Sequence, residues 1–432
     1  MMTWDAISRM TDDLLVTIRQ HFPHDGVADA VETLREALAA STARLSPGMR
    51  VAIAVGSRGI AGLPALVRET VRWVNAQQAH PFIVPAMGSH GGATAEGQQA
   101  LLAGLGIAEQ TVGAPICSSM DVVELPPTDF AMPVYYDRLA FAADATIVIN
   151  RIKPHTSFHG AYESGLMKML AIGLGKHRQA LAIHDRGVTG LREDMPRVAT
   201  HVLAHANVLL GIAVIENAHE EICHLEVVPA AEIPAREPAL LALARTRMPR
   251  LPVEDIDLLI VDEMGKNISG LGIDPNVIGR LKIAGQAEPA APRIRLIYVR
   301  DLTDASHGNA TGMGLADLLT RRAADKIDFR ATYANVTTTT FLERGKLPVV
   351  AETDAEALAI ARRTLRTLTT APLRIMRIQN TLRLDVVQVS PSLLDELTHR
   401  AEIDIIAPAT PFFSATDMLA PFPSAASEQG AG

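Results

Sequence analysis

Two successive stretches of the chain repeat the same order of strand, glycine-rich turn and helix. Residues 50–55 (RVAIAV) are a short apolar run that ends in the turn 56–59 (GSRG), and a helix is predicted over about 62–78. A second apolar run, 81–85, ends in a longer glycine-rich turn, and Thr94 has the character of an N-cap for the next helix. Such repeats build βαβ units with parallel strands. The sequence therefore predicts an α/β fold with mostly parallel sheets.

The densest concentration of reactive side chains lies in residues 150–184, which include four histidines. This segment follows an apolar run, 145–149, which predicts a strand buried on both faces. In open α/β sheets, ligands bind at the carboxyl ends of the strands. We therefore expect a functional site where this strand ends.

Within this segment, His155 and His159 lie four residues apart, the spacing of a metal-binding pair on a helix. Pro154 and Gly160 flank the pair and favour a loop, which argues against a zinc pair.

Lys168 follows inside an apolar run. Burial there would favour the neutral amine and make Lys168 a nucleophile or covalent anchor. A lysine that extends its charge to solvent fits the same run equally well.

The two glycine-rich turns each carry a candidate residue. Arg58 could hold a carboxylate in a bidentate pair, or it could be a surface arginine. The turn around it is neither a G-x-G-x-x-G fingerprint nor a P-loop. His90, between Gly88-Ser89 and two further glycines, could transfer protons near neutral pH, or it could be a structural residue of the turn.

A second cluster of glycines and cations follows the predicted strand 256–261. It contains Lys266, the stretch Ser269–Asn276, and then Arg280 and Lys282. Two such clusters facing each other across a cleft between α/β domains are a common enzyme layout.

Composition narrows the possible partners. The net charge of −8 and the pI near 6.0 argue against general binding to nucleic acid or anionic membranes, but they permit a local cationic pocket. Cys117 and Cys223 are too few for a disulfide framework or a cysteine zinc site. The sequence shows no secretory signal pattern and no apolar stretch of about 18 residues, so we expect a cytoplasmic protein.

The length of 432 residues predicts two domains. Prolines cluster at 229–252, and we place the boundary there. Residues 1–240 are predicted to form an N-terminal α/β domain, and residues 253–410 a C-terminal α/β domain that closes an active-site cleft between the two. Residues 423–432 are expected to be a disordered tail.

Further elements are predicted from periodicity. Residues 1–46 are interpreted as an amphipathic helix, because Leu14, Leu15 and Ile18 repeat at helical spacing. In the C-terminal domain the pattern predicts strands at 256–261, 294–299 and 383–389 and helices at 312–322 and 354–369.

Together these motifs resemble the lactate racemase family and its wider superfamily of nickel-pincer-dependent 2-hydroxy-acid racemases and epimerases. The resemblance covers roughly residues 45–410. Family members have two α/β domains with the active site between them. They bind nickel through a pyridinium mononucleotide with thiocarboxamide or thiocarboxylate arms, and a lysine holds this cofactor covalently.

The resemblance implies a role for each matched position. The tethering lysine corresponds to Lys168 and the nickel ligand to His184, with the family's separation of 16 residues. The implied roles of the remaining residues are acid/base catalysis for His90 and His155, substrate binding for Arg58 and Lys282, and cofactor binding for Gly88, Ser89, Lys266 and Arg280.

The chain departs from the family pattern at several of these positions. The residues before the tether are Gly165-Leu166-Met167 in place of Gly-Gly-Arg. The interval from His155 to Lys168 is about three residues longer, so His159 could supply the second base. Ile278 and Gly279 replace a tyrosine and a glutamine. These changes point to a divergent member with a substrate other than lactate.

The resemblance implies an isomerase that inverts C2 of a 2-hydroxy acid, a sugar acid being one candidate. The expected partners are a small carboxylate substrate and the enzymes that synthesise the cofactor, and the oligomeric state is left open. One alternative is a divalent-metal hydrolase or lyase that uses His155, His159 and Glu163. Another is a non-catalytic protein that binds a nucleotide or an organic acid.

Overall fold

The structure is a computed structural model that describes residues 14–57, 59–130, 132–413 and 418–423. The strands, numbered β1 to β15 in chain order, are Leu14–Gln20, Arg50–Val55, His80–Pro85, Val122–Glu124, Tyr135–Asp137, Ala145–Arg151, Val208–Glu216, Ile222–Pro229, Asp255–Val261, Arg293–Val299, Leu318–Thr320, Val349–Ala351, Ile375–Ile378, Val386–Val389 and Ile403–Pro411.

The α-helices, numbered α1 to α15, are Ala30–Ala40, Leu63–Ala76, Ala95–Gly104, Glu109–Val112, Arg138–Phe141, Leu166–Lys168, Lys176–His184, Gly187–Thr189, Met195–His205, Ile233–Arg247, Pro275–Ile278, Arg321–Asp325, Phe329–Thr339, Asp354–Arg366 and Leu394–Leu397. Two π-helical turns, Met169–Gly173 and Gly190–Asp194, continue α6 and α8. Short 3₁₀ turns are Gly91–Ala93, Ala230–Glu232, Asp304–Ser306, Met313–Leu315, Leu342–Gly345 and Pro391–Leu393.

The chain divides into two compact units. One unit is Pro23–Met248, and the other combines the segment before Pro23 with the chain from Pro249 onward. The predicted boundary region, residues 229–252, contains the helix α10, and α10 belongs to the first unit. The two units divide between Met248 and Pro249. A site between the two units stays a prediction.

The unit Pro23–Met248 is built on a sheet of order β3-β2-β6-β7-β8, in which only the β7–β8 pair is antiparallel. Alternate residues of its strands enter two different cores. Val51 and Ile53 pack on one face among residues of α1 and α2, whereas Ala52 and Ala54 pack on the other among residues of α6 and α9. Burial on both faces explains the nearly continuous apolar sequence of these strands.

The second unit has a mixed sheet of order β12-β11-β10-β9-β13-β14-β1-β15. The pairs from β12 to β13 are parallel, and those from β13 to β15 are antiparallel. Together with the first sheet, this confirms the predicted α/β class with mostly parallel strands.

Two predicted helices are wrong over the stretches that form strands, although Ala30–Ala40 within the helix expected over residues 1–46 is helical, as α1. Leu14–Gln20 forms a strand between β14 and β15, because Leu15 is buried on one face of the sheet while Val16 and Ile18 are buried on the other. Pairing on both sides overrides a spacing that also fits a helix. The predicted helix over 312–322 contains β11, whose Leu318 and Leu319 pair with both β10 and β12.

Most other predicted elements are confirmed, with small shifts at their ends. Strand β13 was not predicted, and the first thirteen residues and residues 424–432 of the expected tail lie outside the described part of the chain. Within that described part, no helix combines the length and the apolar composition needed to cross a lipid bilayer.

Candidate functional site

The turns after β2 and β3 meet at the carboxyl edge of the first sheet. The two strands are parallel and in register through Val55 and Pro85, so the turns that follow them are neighbours. The hydroxyl of Ser57 forms a hydrogen bond with Nδ1 of His90. The ring of His90 is exposed at this edge. Arg58, the next residue after Ser57, lies outside the described residues.

Residues 166–173, which combine α6 and the following π-helical turn, pass directly over both turns. The amide of Gly88 donates to the carbonyl of Gly173 at 3.2 Å. A Cβ on Gly88 would lie 3.0 Å from Cγ2 of Ile172, and one on Gly56 would lie 2.8 Å from Cε of Met169. The segment therefore needs glycine beneath it to pack closely on the sheet edge.

Lys168 and His184 are electrostatic neighbours at this edge. Lys168 ends α6 and is half-buried, and His184 lies in the last turn of α7. Burial, reinforced by the positive charge of Lys168, lowers the pKa of His184 to about 4. His184 is therefore a neutral imidazole near pH 7, which is the form that binds metal ions.

The loop of residues 153–164, called the histidine loop below, follows β6 and is closed by pairing of Lys153 with Ser164. Its centre is the fully buried carboxylate of Glu163. The carboxylate accepts hydrogen bonds from the backbone amides of His155 at 2.6 Å and Gly160 at 3.1 Å. The prediction of a loop at this place, in preference to a helix, is confirmed.

Side chains complete the environment of Glu163. Arg245 of α10 donates to Oε1 at 2.5 Å, and Nδ1 of His159 lies 3.3 Å from the same oxygen. Burial raises the pKa of Glu163, but hydrogen bonds from His159 and from the backbone of His155 and Gly160 outweigh it, and the pKa lies below its ordinary value. The carboxylate is therefore charged near pH 7.

Helix α10 supports the site from beneath, a role that the sequence did not reveal. Glu237 accepts a hydrogen bond from the amide of Met167 at 2.8 Å and so caps α6, the helix that carries Lys168. The hydroxyl of Tyr162 donates to the carbonyl of Pro234 at 2.8 Å. The prolines in and around α10 were interpreted only as marking a domain boundary. The available signal was the interval of eight residues from Glu237 to Arg245, which places both on one face of a helix.

A buried ion pair supports the turn that carries His90. The ammonium of Lys176 lies 3.0 Å from Asp137, and both side chains are fully buried. Lys176 also lies 3.3 Å from Oε1 of Gln98, whose amide nitrogen donates to the carbonyl of Gly88 at 2.9 Å. Lys176 was visible in the sequence between Lys168 and His184, but nothing in the pattern assigned it a role.

Three candidate residues of the second unit form hydrogen bonds within that unit: Lys266, Arg280 and Lys282. The ammonium of Lys266 donates to the carbonyl of Gly270 at 2.7 Å, within its own loop. Arg280 forms an ion pair with Asp317 at 2.7 Å and donates to several backbone carbonyls, so its side chain is committed inside the unit. The backbone amide of Lys282 donates to Glu288 at 2.9 Å.

The structure thus places five predicted residues at one edge of the first sheet: Gly88, Ser89, His90, Lys168 and His184. The histidine loop, with His155 and His159, emerges from the adjacent strand β6 at the same edge. Among the residues that the structure describes, no group of three or more histidine, cysteine or acidic residues is arranged to hold a metal ion by itself.

Comparison with known proteins relates this edge to one family. Residues 10–194 match the family model of the lactate racemase N-terminal domain. The lactate racemase apoprotein from Thermoanaerobacterium thermosaccharolyticum is similar in structure, with a TM-score of 0.50 and 12% identity over 85% of this chain and 98% of that one. A protein from Thermotoga maritima gives a TM-score of 0.48 and 14% identity over 84% and 98%. No curated protein sequence matches the chain.

Residues 10–194 therefore match a domain of the lactate racemase family, which confirms the resemblance stated from the motifs. The matched residues include the turns, the histidine loop, Lys168 and His184. The likeness to the lactate racemase apoprotein shows a shared fold. The match to the family's N-terminal domain supports a racemase- or epimerase-type role, that is, an isomerase.

Proposed function

We propose that this protein is a racemase or epimerase that inverts C2 of a 2-hydroxy acid and uses a nickel-pincer mononucleotide tethered to Lys168. The observation that carries this proposal is the proximity of Lys168 and His184. The two residues are 16 apart in sequence, and they are close enough for the charge of Lys168 to contribute to the lowered pKa of His184.

The residues at the sheet edge fit such a cofactor. Lys168 offers an amine for a covalent link, and His184 offers a neutral imidazole, a ligand that suits nickel beside sulfur donors. The turn at Gly88 and Ser89 lies directly under the segment that carries the lysine. The bound cofactor would accept the hydride from C2, because no protein side chain can hold one.

The protein's own residues would bind the substrate and move its hydroxyl proton. His90 and a histidine of the histidine loop are the proposed acid/base groups, one for each enantiomer. We propose Arg58 and Lys282 as the groups that hold the substrate carboxylate. Arg280 forms its observed bonds inside the second unit, and its predicted role in binding the cofactor stays a prediction.

The alternative of a metal hydrolase that uses His155, His159 and Glu163 has less support. Glu163 forms an ion pair with Arg245, and Nδ1 of His155 accepts a hydrogen bond from the amide of Ser157. A metal ion bound by Nδ1 of His155 and by the Glu163 carboxylate would compete with these two partners.

The test is a racemisation assay of protein that has been loaded with the cofactor. The chain would be produced together with the cofactor-synthesis enzymes and incubated with single enantiomers from a panel of 2-hydroxy and sugar acids. A change in optical rotation with at least one substrate, complete loss for an acid with a single stereocentre, is expected for the wild type and not for Lys168→Ala. A loaded wild type that racemises none of them would contradict the proposal. A characterised lactate racemase loaded in parallel confirms that the cofactor is supplied.

A further inference from the structure

We infer that His159 is the proton acceptor of the histidine loop, and that His155 is a hydrogen-bond donor. This inference rests on the proposed function, since it assigns the second acid/base group of the same site. The two rings lie in one loop, but different partners hold their Nδ1 atoms. The partner of Nδ1 decides which atom of a neutral imidazole carries the proton, and hence which chemistry the other nitrogen can perform.

The surroundings of His155 fix its proton on Nε2. The backbone amide of Ser157 donates to Nδ1 of His155 at 3.0 Å. An amide can only donate, so Nδ1 must hold a lone pair and the neutral ring carries its proton on Nε2. The ring packs against the buried ring of Phe158, with centroids 4.6 Å apart. The neutral side chain therefore presents a donor and cannot accept a proton at Nε2.

The surroundings of His159 fix the opposite tautomer. Its Nδ1 lies 3.3 and 3.4 Å from the two oxygens of Glu163. A carboxylate can only accept, so Nδ1 carries the proton and Nε2 has the lone pair. The side chain is 41% exposed, so the ring of His159 is accessible from outside the protein core. His159 thus has the tautomer that a general base requires.

Glu163 is the positioning residue for this base. Arg245 and two backbone amides hold its buried carboxylate in place without involving the His159 ring. When His159 takes up a proton, the resulting imidazolium lies next to this fixed negative charge. The same pairing of histidine with an oriented carboxylate stabilises the imidazolium in other acid/base sites.

The position of His159 also accounts for a departure of the sequence. The resemblance implied an interval about three residues shorter between the base and the tethering lysine, and His159 lies four residues nearer to Lys168 than His155 does. A longer loop places His155 farther from Lys168 along the chain. A histidine nearer the tether, with a carboxylate behind it, can then perform the proton transfer.

The first arm of the test reads the tautomers directly and needs no cofactor. The full chain would carry ¹⁵N-labelled histidine, and its imidazole nitrogens would be observed by NMR about two pH units above the ordinary imidazole pKa of about 6.5. His155→Gln and His159→Gln variants assign the signals. We expect a proton on Nε2 in His155 and on Nδ1 in His159. Reversed tautomers, or the same tautomer in both rings, would overturn the inference.

The variant Glu163→Gln tests whether Glu163 positions the ring of His159 or only stabilises the loop. An amide can donate as well as accept, so His159 should populate both tautomers in this variant. His155 should keep its Nε2 proton, because Ser157 is untouched. An unchanged His159 signal in a folded Glu163→Gln protein would show that the carboxylate does not set the tautomer.

The second arm is racemisation by the loaded enzyme. His159→Gln should lower the rate by about 10²–10⁴-fold, the usual effect of removing an acid/base group. His155→Gln keeps a side-chain N–H donor and should stay within about 10-fold of wild type. The reverse order of the two variants would overturn this inference alone. A loaded wild type without racemase activity would overturn the proposed function and the role of His159 with it.

Discussion

Glu237 and Lys176 are buried ionisable residues that support the backbone around the candidate site, directly or through another side chain. Glu237 caps α6, which carries Lys168, and Lys176 supports the turn of His90 through Gln98. Burying charge costs free energy unless partners compensate for it. Lys176 has such a partner in Asp137, whereas Oε1 of Glu237 has no hydrogen-bond partner.

Glu237 should make the stability of the protein depend on pH. Burial raises its pKa from 4.5 to about 7, against the opposing effect of hydrogen bonds from Met167 and Leu166. Between these values the folded protein binds the proton more tightly than the unfolded chain does. The free energy of unfolding should therefore fall as the pH rises from about 4.5 to about 7, by about 3 kcal/mol, and then level off.

Replacement of Glu237 by glutamine should remove most of this fall. Glutamine has nearly the same shape and can still accept the hydrogen bond from Met167, but it does not ionise. The measurement is urea unfolding of wild type and Glu237→Gln at about pH 5 and pH 8. The exposed Glu232→Gln serves as control and should behave like the wild type. Equal pH dependence in wild type and Glu237→Gln would contradict the assignment.

At the scale of elements, the segment 166–173 is the structure on which the site depends. It lies against two glycines, Gly56 and Gly88, and its helix is capped from α10. Gly88 has a φ of 59°, in the left-handed region, as does Gly92 in the same turn with a φ of 64°. Only Gly88 has the segment close above it, since a Cβ on Gly92 would meet nothing within 4 Å.

Substitutions at Gly88 and Gly92 distinguish the cost of a strained backbone conformation from the cost of a packing clash. Gly92→Ala should cost about 1 kcal/mol for its backbone conformation alone. Gly88→Ala should cost about 2–4 kcal/mol, because its Cβ would also press on Ile172. Thermal or urea unfolding measures both. The fraction of chain that carries the cofactor should fall in Gly88→Ala and not in Gly92→Ala. Equal effects of the two variants would show that the segment does not pack as described.

The sequence predicted elements best where one signal dominated. Strand β2 and helices α2 and α3 were recognisable because apolar runs, glycine-rich turns and the N-cap Thr94 agreed with one another. The helix expected at Leu14–Gln20 failed because its strand partners are hundreds of residues away. Spacing along the chain also pointed to Lys168 and His184, but it could not reveal Glu237 or Arg245, whose contacts with the site come only from the packing of α10.

At the scale of the whole molecule, the residues proposed to hold the cofactor, Lys168 and His184, lie in the unit Pro23–Met248. Lys282, proposed for the substrate carboxylate, lies in the other unit. We propose that one unit attaches the cofactor and transfers the proton, and that the other unit contributes to substrate binding. We propose above all that Lys168 makes the covalent link and that His184 supplies one coordinate bond to nickel.

Mass spectrometry of protein made with the cofactor-synthesis enzymes tests that claim most directly. Intact mass and nickel content would be measured for wild type, Lys168→Ala and His184→Ala. The wild type should carry the cofactor mass, mapped to the peptide that contains Lys168, together with nickel. Lys168→Ala should carry neither, and His184→Ala should keep the covalent mass but lose most of the nickel. A cofactor mass on Lys168→Ala, or full nickel in His184→Ala, would contradict the account.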